Sequence, residues 1–174
     1  MLPQVVCGDG APLGKGVQVN LYYSRAWSKS EKIPLEIYSK EVAESRHEQR
    51  EPYTVLVNSA SSPSAFAEIF LKKGFVCVGF LDNLLREYIS YQFKLIEGGC
   101  WFLVMAVYRN YIAEAQEITA ADTYIFKPEG DLFIRRDKFN PRESEVANSK
   151  FNPDKNYEKF SEFGDYQGIF KIER

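Results

Sequence analysis

The sequence predicts an α+β fold: a twisted antiparallel β-meander of about five or six strands, with N-terminal helices packed on it and a C-terminal tail crossing the sheet. Three observations lead there. Between residues 75 and 138, apolar runs alternate with turn signals in the rhythm of consecutive hairpins. Ahead of them, Ser62-Pro63 offers an N-cap and a proline at a first helical position, Phe66, Ile69 and Phe70 follow at helical spacing, and Gly74 provides a stop. Behind them, residues 157–174 carry Tyr157, Phe160, Phe163, Tyr166 and Phe170, too many aromatics for a disordered end.

The 174 residues suffice for one domain with a sizeable core and are few for two. Residues 1–16, rich in Gly and Pro, read as an irregular lead-in. Residues 17–74 hold a strand and the helices: Val17 to Tyr23 alternates apolar and polar residues, 36–50 is rich in helix formers, and 53–57 is a short strand. Within the meander, 75–81 is nearly all apolar, as in a strand covered on both faces. From Tyr88 to Leu95 the alternation sends Ile89, Tyr91, Phe93 and Leu95 one way and Ser90, Gln92 and Lys94 the other. Gly98-Gly99 suits a tight hairpin turn, and 100–108 is apolar throughout, as a central strand would be. Strands at 123–127 and 132–136 flank Pro128-Glu129-Gly130, where glycine can close the turn with a left-handed residue. Residues 139–174 form the covering tail, beginning with polar loop or edge between Asn140-Pro141 and Asn152-Pro153.

Composition narrows the function classes. Acidic and basic residues are mixed at a net charge of −2, so no basic patch stands ready to displace counterions from nucleic acid. No apolar segment is long enough to span a bilayer as a helix. Cys7, Cys77 and Cys100 share no metal or redox spacing; Cys77 and Cys100 sit in apolar runs and read as small buried hydrophobes, which points to a reducing, cytoplasmic setting.

Catalytic constellations are hard to assemble. The stretch 8–16 invites a phosphate-loop reading, but Asp9 falls where the first glycine should be and Gly16 where a magnesium-holding Ser or Thr should be. His47, the single histidine, lies in a charged segment between Glu44 and Glu48 and reads as a solvated helix residue. Without a second histidine or a nucleophile motif, triad chemistry has no set of partners. Asp82 with Glu87, or Glu162 with Asp165, could be proposed as acid–base pairs, although 24 acidic residues generate such pairs by chance. The reading is therefore a binder, with no catalytic residues, metal or cofactor. Partner-binding candidates are the acids Asp82, Glu87, Glu158, Glu162 and Asp165, which could steer a basic partner, and the rings of Tyr157 and Tyr166.

Certain segments are familiar. Phe80-Leu81-Asp82 with Arg86-Glu87-Tyr88, the run from Phe102 to Arg109 ending Ala-Val-Tyr-Arg, Thr123-Tyr124-Ile125-Phe126-Lys127-Pro128-Glu129-Gly130, and Glu162-Phe163-Gly164-Asp165-Tyr166 with Glu173-Arg174 are shared features. On these, the chain from about Phe75 onward resembles a type of small bacterial immunity protein encoded beside polymorphic toxins, including those of contact-dependent growth inhibition. The resemblance implies a cytoplasmic protein, monomer or weak dimer when alone, that neutralises the C-terminal domain of a cognate toxin, often a nuclease, by protein–protein contact. The alternative expectation is a small apolar-ligand-binding or structural accessory domain.

Overall fold

The computed structural model describes residues 19–160 and 162–174. The lead-in 1–16, the glycine-rich stretch 8–16, Cys7 and the first residues of the strand read from Val17 lie outside them. The described residues build one antiparallel sheet of eleven strands, not five or six, with a single α-helix, so the fold is mainly β and not the α+β meander with N-terminal helices that the sequence predicts. Strands β1 (Leu21–Ser28) and β2 (Ile33–Tyr38) form a hairpin, helix α1 (Lys40–Glu48) follows, and β3 (Tyr53–Val57) returns beside β1. From there the sheet runs in chain order through β4 (Ala65–Phe70), β5 (Phe75–Leu81), β6 (Glu87–Leu95), β7 (Trp101–Tyr111), β8 (Ile118–Phe126), β9 (Asp131–Phe139) and β10 (Arg142–Lys150). A two-residue strand, β11 (Tyr157–Glu158), pairs with Phe102 and Trp101 of β7, beyond the reach of β8.

The helix expected over residues 62–74 is a strand followed by a 3-10 turn. β4 lies between β3 and β5, pairing with β5 along its whole length and with β3 from Ala65 to Ile69. Alternation explains the outcome: Ala65, Ala67 and Ile69 face the main core, while Phe66 turns to the opposite side and packs with Leu56, Leu81 and Trp27. Ladder pairing on two sides outweighs a helical spacing that rests on Phe66, Ile69 and Phe70 alone. Gly74 still acts as a stop, at φ 64° after the turn Leu71–Lys73. Helix α1 does form within the segment read as helical, with Ser39 Oγ accepting from the Val42 N–H at its N-terminus.

One face of the sheet is covered. Tyr53, Val55, Ala67, Ile69, Val76, Val78, Tyr91, Phe93, Trp101 and Leu103 pave it, and Ala43 of α1 with Phe160, Tyr166 and Ile169 of the tail close over them. Specific polar bonds fix the tail. Trp101 Nε1 donates to Phe160 O at 2.8 Å, Asn156 Nδ2 to Leu103 O at 3.1 Å, and Tyr91 Oη to Ile172 O at 2.6 Å. Tyr53 and Tyr166 hydroxyls meet at 3.1 Å, both rings nearly inaccessible. His47 is not the solvated residue its charged segment suggests. Its Nδ1 lies 2.8 Å from Tyr53 Oη, and its ring meets Phe160 and Phe163 edge-on.

The chain's last charges complete the closure. Glu158 is 7% exposed and takes Arg174 Nη1 at 2.9 Å and Lys171 Nζ at 3.0 Å. The Arg174 guanidinium also stands 4.9 Å from the centre of the Phe93 ring and donates to Gly168 O. The cysteines do not support the reducing setting drawn from them. Cys77 is a half-buried free thiol, but Cys100 is disulfide-bonded. Among the described residues, no helix is long and apolar enough to cross a membrane.

Because Arg174 would be left in a nearly closed site without its counter-charge, Glu158→Gln should lower unfolding free energy by about 3 kcal/mol. Urea denaturation followed by fluorescence checks this, and Lys171→Gln, at the more exposed partner, should cost far less.

Candidate functional site

Two regions escape the tail's cover. The first is a cleft of about 320 Å³ on the opposite face, built where three connections converge. Its floor depends on a bulge: Phe80 pairs with Ile89 and Leu81 with Glu87, so Tyr88 is the extra residue and Glu87 is turned toward the cleft. Gly79 lies beneath, where a Cβ would stand 2.4 Å from Phe66 Cε1 and 2.9 Å from Glu87 Oε2. Only glycine lets the ring and the carboxylate sit so close to the strand.

Two cations clip the rim together. Lys32, at the β1–β2 tip, donates through Nζ to Leu84 O at 2.6 Å in the β5–β6 connection. Arg86 Nη1 reaches the carbonyls of Ile112, Ala113 and Ala115 in the β7–β8 loop, while its guanidinium lies 4.7 Å from the centre of the Tyr111 ring. Asp82 holds Arg86 in place, accepting from its Nε at 2.7 Å and from the backbone N–H groups of Leu84 and Arg86. Desolvation opposes the Asp82 charge, yet those hydrogen bonds outweigh it and keep its pKa below the ordinary carboxylate value.

Inside the cleft, Glu87 sits between Arg109 Nη1, 3.0 Å from Oε1, and Lys29 Nζ, 2.7 Å from Oε2. Lys29 is in ion-pair range without hydrogen-bond alignment, so the buried Oε2 has a charge beside it and no directed donor. Nearby Glu68 has a raised pKa, chiefly from burial and further from the Glu87 charge, with Lys29 acting against both.

The second region is the β8–β10 end of the sheet. β10 is exposed at all nine positions and pairs with β9 without a register break. Val146 at its middle is 66% exposed, and Ile125 of β8 is 40% exposed. The sheet's other edge, β2, is shorter and carries Pro34 and Glu36, the latter at φ 54°, features that discourage strand addition.

The candidate residues fall into separate places. Asp82 and Glu87 belong to the cleft, each held by its own cations. Tyr166 is buried against Tyr53, Glu158 is enclosed by Lys171 and Arg174, and Tyr157 packs on Phe102 at 4.9 Å. These three side chains hold the tail down. Glu162 and Asp165 remain exposed on the tail's outer surface, at a turn where the Asp165 N–H donates to Glu162 O. Sequence reasoning missed Lys29 and Arg109, which lie 58 and 22 residues from Glu87 and meet it only through the sheet. It left β10 undecided between polar loop and edge, because its nine residues contain Val146 and Ala147 as the sole apolar positions. No group of three or more potential metal ligands occurs among the described residues. Compared with known families, curated proteins and solved structures, the chain matches no family model, no curated protein and no solved structure.

Asp82→Asn should loosen the clip and cost about 1 to 2 kcal/mol at neutral pH. A carboxylate with a depressed folded pKa contributes stability above its unfolded value near 3.9 and loses it as pH falls through the folded value. Urea midpoints measured from pH 7 down to 3 should therefore stay apart for variant and parent above about pH 4 and begin to draw together only below it.

Proposed function

We propose that this protein acts by occluding another protein, as a stoichiometric inhibitor of a bacterial toxin domain, and that it captures that domain along β10. The observation that carries the reading is the contrast between a sheet face sealed by aromatic packing and a regular nine-residue edge strand left wholly open. A strand added there would gain backbone hydrogen bonds along its length, the basis of edge-strand recognition.

The chemistry of the edge specifies the added strand. By register with β9, Glu143, Glu145 and Ala147 share one face of the sheet, while Arg142, Val146 and Asn148 share the other. Glu143 is paired with Lys138, and Lys150 with Asp131, whereas Glu145 has no ion pair among the described residues. The strand best suited places a basic residue opposite Glu145 and an apolar one opposite Val146, in keeping with the basic surface of a nuclease. Phe133 and Ile125, in one cross-strand row beside β10, add apolar area within reach of its side chains. The resemblance of residues 75–174 to immunity proteins supports the same reading. Carriage of an apolar ligand has less support, because the covered face is filled by rings and the cleft is lined by charged groups.

The toxin domain encoded by the neighbouring reading frame is the probe. Its complex should protect β10 amides from hydrogen exchange, and Val146→Lys with Glu145→Lys should weaken binding by at least about tenfold, mainly through faster dissociation. Unchanged β10 exchange together with unchanged affinity of the double variant contradicts edge capture; absence of any complex contradicts the inhibitor reading itself.

A further inference from the structure

We infer that the cleft between the β1–β2 tip, the β5–β6 connection and the β7–β8 loop binds a small ligand through a compact oxyanion, a phosphate or carboxylate group, held by Lys29, Lys32 and Arg109. This goes beyond capture of a protein at β10, which lies at the far edge of the sheet.

Charge and donor supply both lead there. The cleft is lined by Lys29, Lys32, Arg86 and Arg109 against one carboxylate, Glu87. Arg86 is already engaged by Asp82 and three carbonyl oxygens. The remaining three cations face Glu87 in the lining and Glu68 nearby, so the cleft keeps an excess positive charge even with both carboxylates ionised. Their hydrogen-bonding capacity is also largely unspent. Lys29 makes no hydrogen bond among the described residues, Lys32 commits one donor to Leu84 O, and Arg109 commits only Nη1, to Ser90 Oγ and Glu87. A pocket so rich in donors and poor in acceptors is complementary to an acceptor-rich, negatively charged group.

Glu87 serves as the positioning residue. Its carboxylate draws Lys29 and Arg109 to its two oxygens, so an entering oxyanion finds their cationic groups already gathered. The volume of about 320 Å³ falls at the lower end of small-ligand pockets. Trp27 and Tyr111 supply aromatic walls for whatever the oxyanion is attached to. The Trp27 indole, only 4% exposed but bordering the cleft, also gives a readout, because the protein's other tryptophan, Trp101, lies on the covered face against Phe160.

The experiment titrates the full chain with inorganic phosphate and separately with acetate, following tryptophan emission, with chloride at matched ionic strength as reference. Saturable binding of phosphate or acetate, absent with chloride, is expected. Lys29→Gln and Lys32→Gln should each weaken it about tenfold, while Lys40→Gln, on the helix over the other face, should leave it unchanged. Tighter phosphate binding assigns the phosphate class, and tighter acetate binding the carboxylate class. A response that chloride reproduces, or saturable binding indifferent to both Lys29→Gln and Lys32→Gln in folded protein, overturns the assignment.

Discussion

The structure depends on the tail closing over one face of an unusually wide sheet. Strands β3 to β7 expose a continuous apolar surface that α1 alone is too short to cover, and Phe160, Tyr166 and Ile169 complete it. Removing those rings from water supplies most of the driving force. Polar groups carried inside find partners: Tyr53 in Tyr166 and His47, Trp101 in Phe160 O, and Arg174, apart from its buried Nε, in Glu158. The Tyr53–Tyr166 and Trp101–Phe160 bonds tie the tail to strands laid down well before it. The aromatic residues that look like a binding surface in sequence are therefore spent on closing the protein's own core.

Closure of one face leaves two regions of the sheet open. On the opposite face, the bulge at Tyr88 and the bare surface of Gly79 admit Glu87 and its two cations, and Lys32 and Arg86 draw three connections around them. At the end of the sheet, β9 and β10 extend past the tail's cover and stay together through their ladder. The cleft suits a small charged group, and the edge suits an extended chain. Both sit on strands rooted in the sealed block, so neither requires the core to open.

Much of the middle of the fold was legible. Strands β5 to β9 occupy the runs where apolar residues, Gly98-Gly99 and Pro128-Glu129-Gly130 mark them, with Gly98 and Gly130 at φ 86° and 87°. Reading stopped where pattern and structure part. β4 carries residues that satisfy helical spacing as well as alternation, and only its two neighbours decide between them. β10 has almost no apolar signal because neither of its faces is covered, and β2 is broken up by Pro34 and Glu36. Among the candidate residues, the acids of 82–87 come together at one cleft, yet two of the cations around them, Lys29 and Arg109, are remote in sequence. Glu158 and Tyr166 could not be told from surface residues, since their partners Arg174 and Tyr53 are chosen by the path of the tail.

Native-state hydrogen exchange on the isolated protein tests the closure most directly. If the tail and sheet form one cooperative block, the Trp101 indole N–H and the amides of β5 to β7 should exchange at the slowest rates, and the amides of 166–170 should exchange with them. Fast exchange of the tail and the Trp101 indole beside persistently protected β5 to β7 strands would show that the sheet stands without its cover.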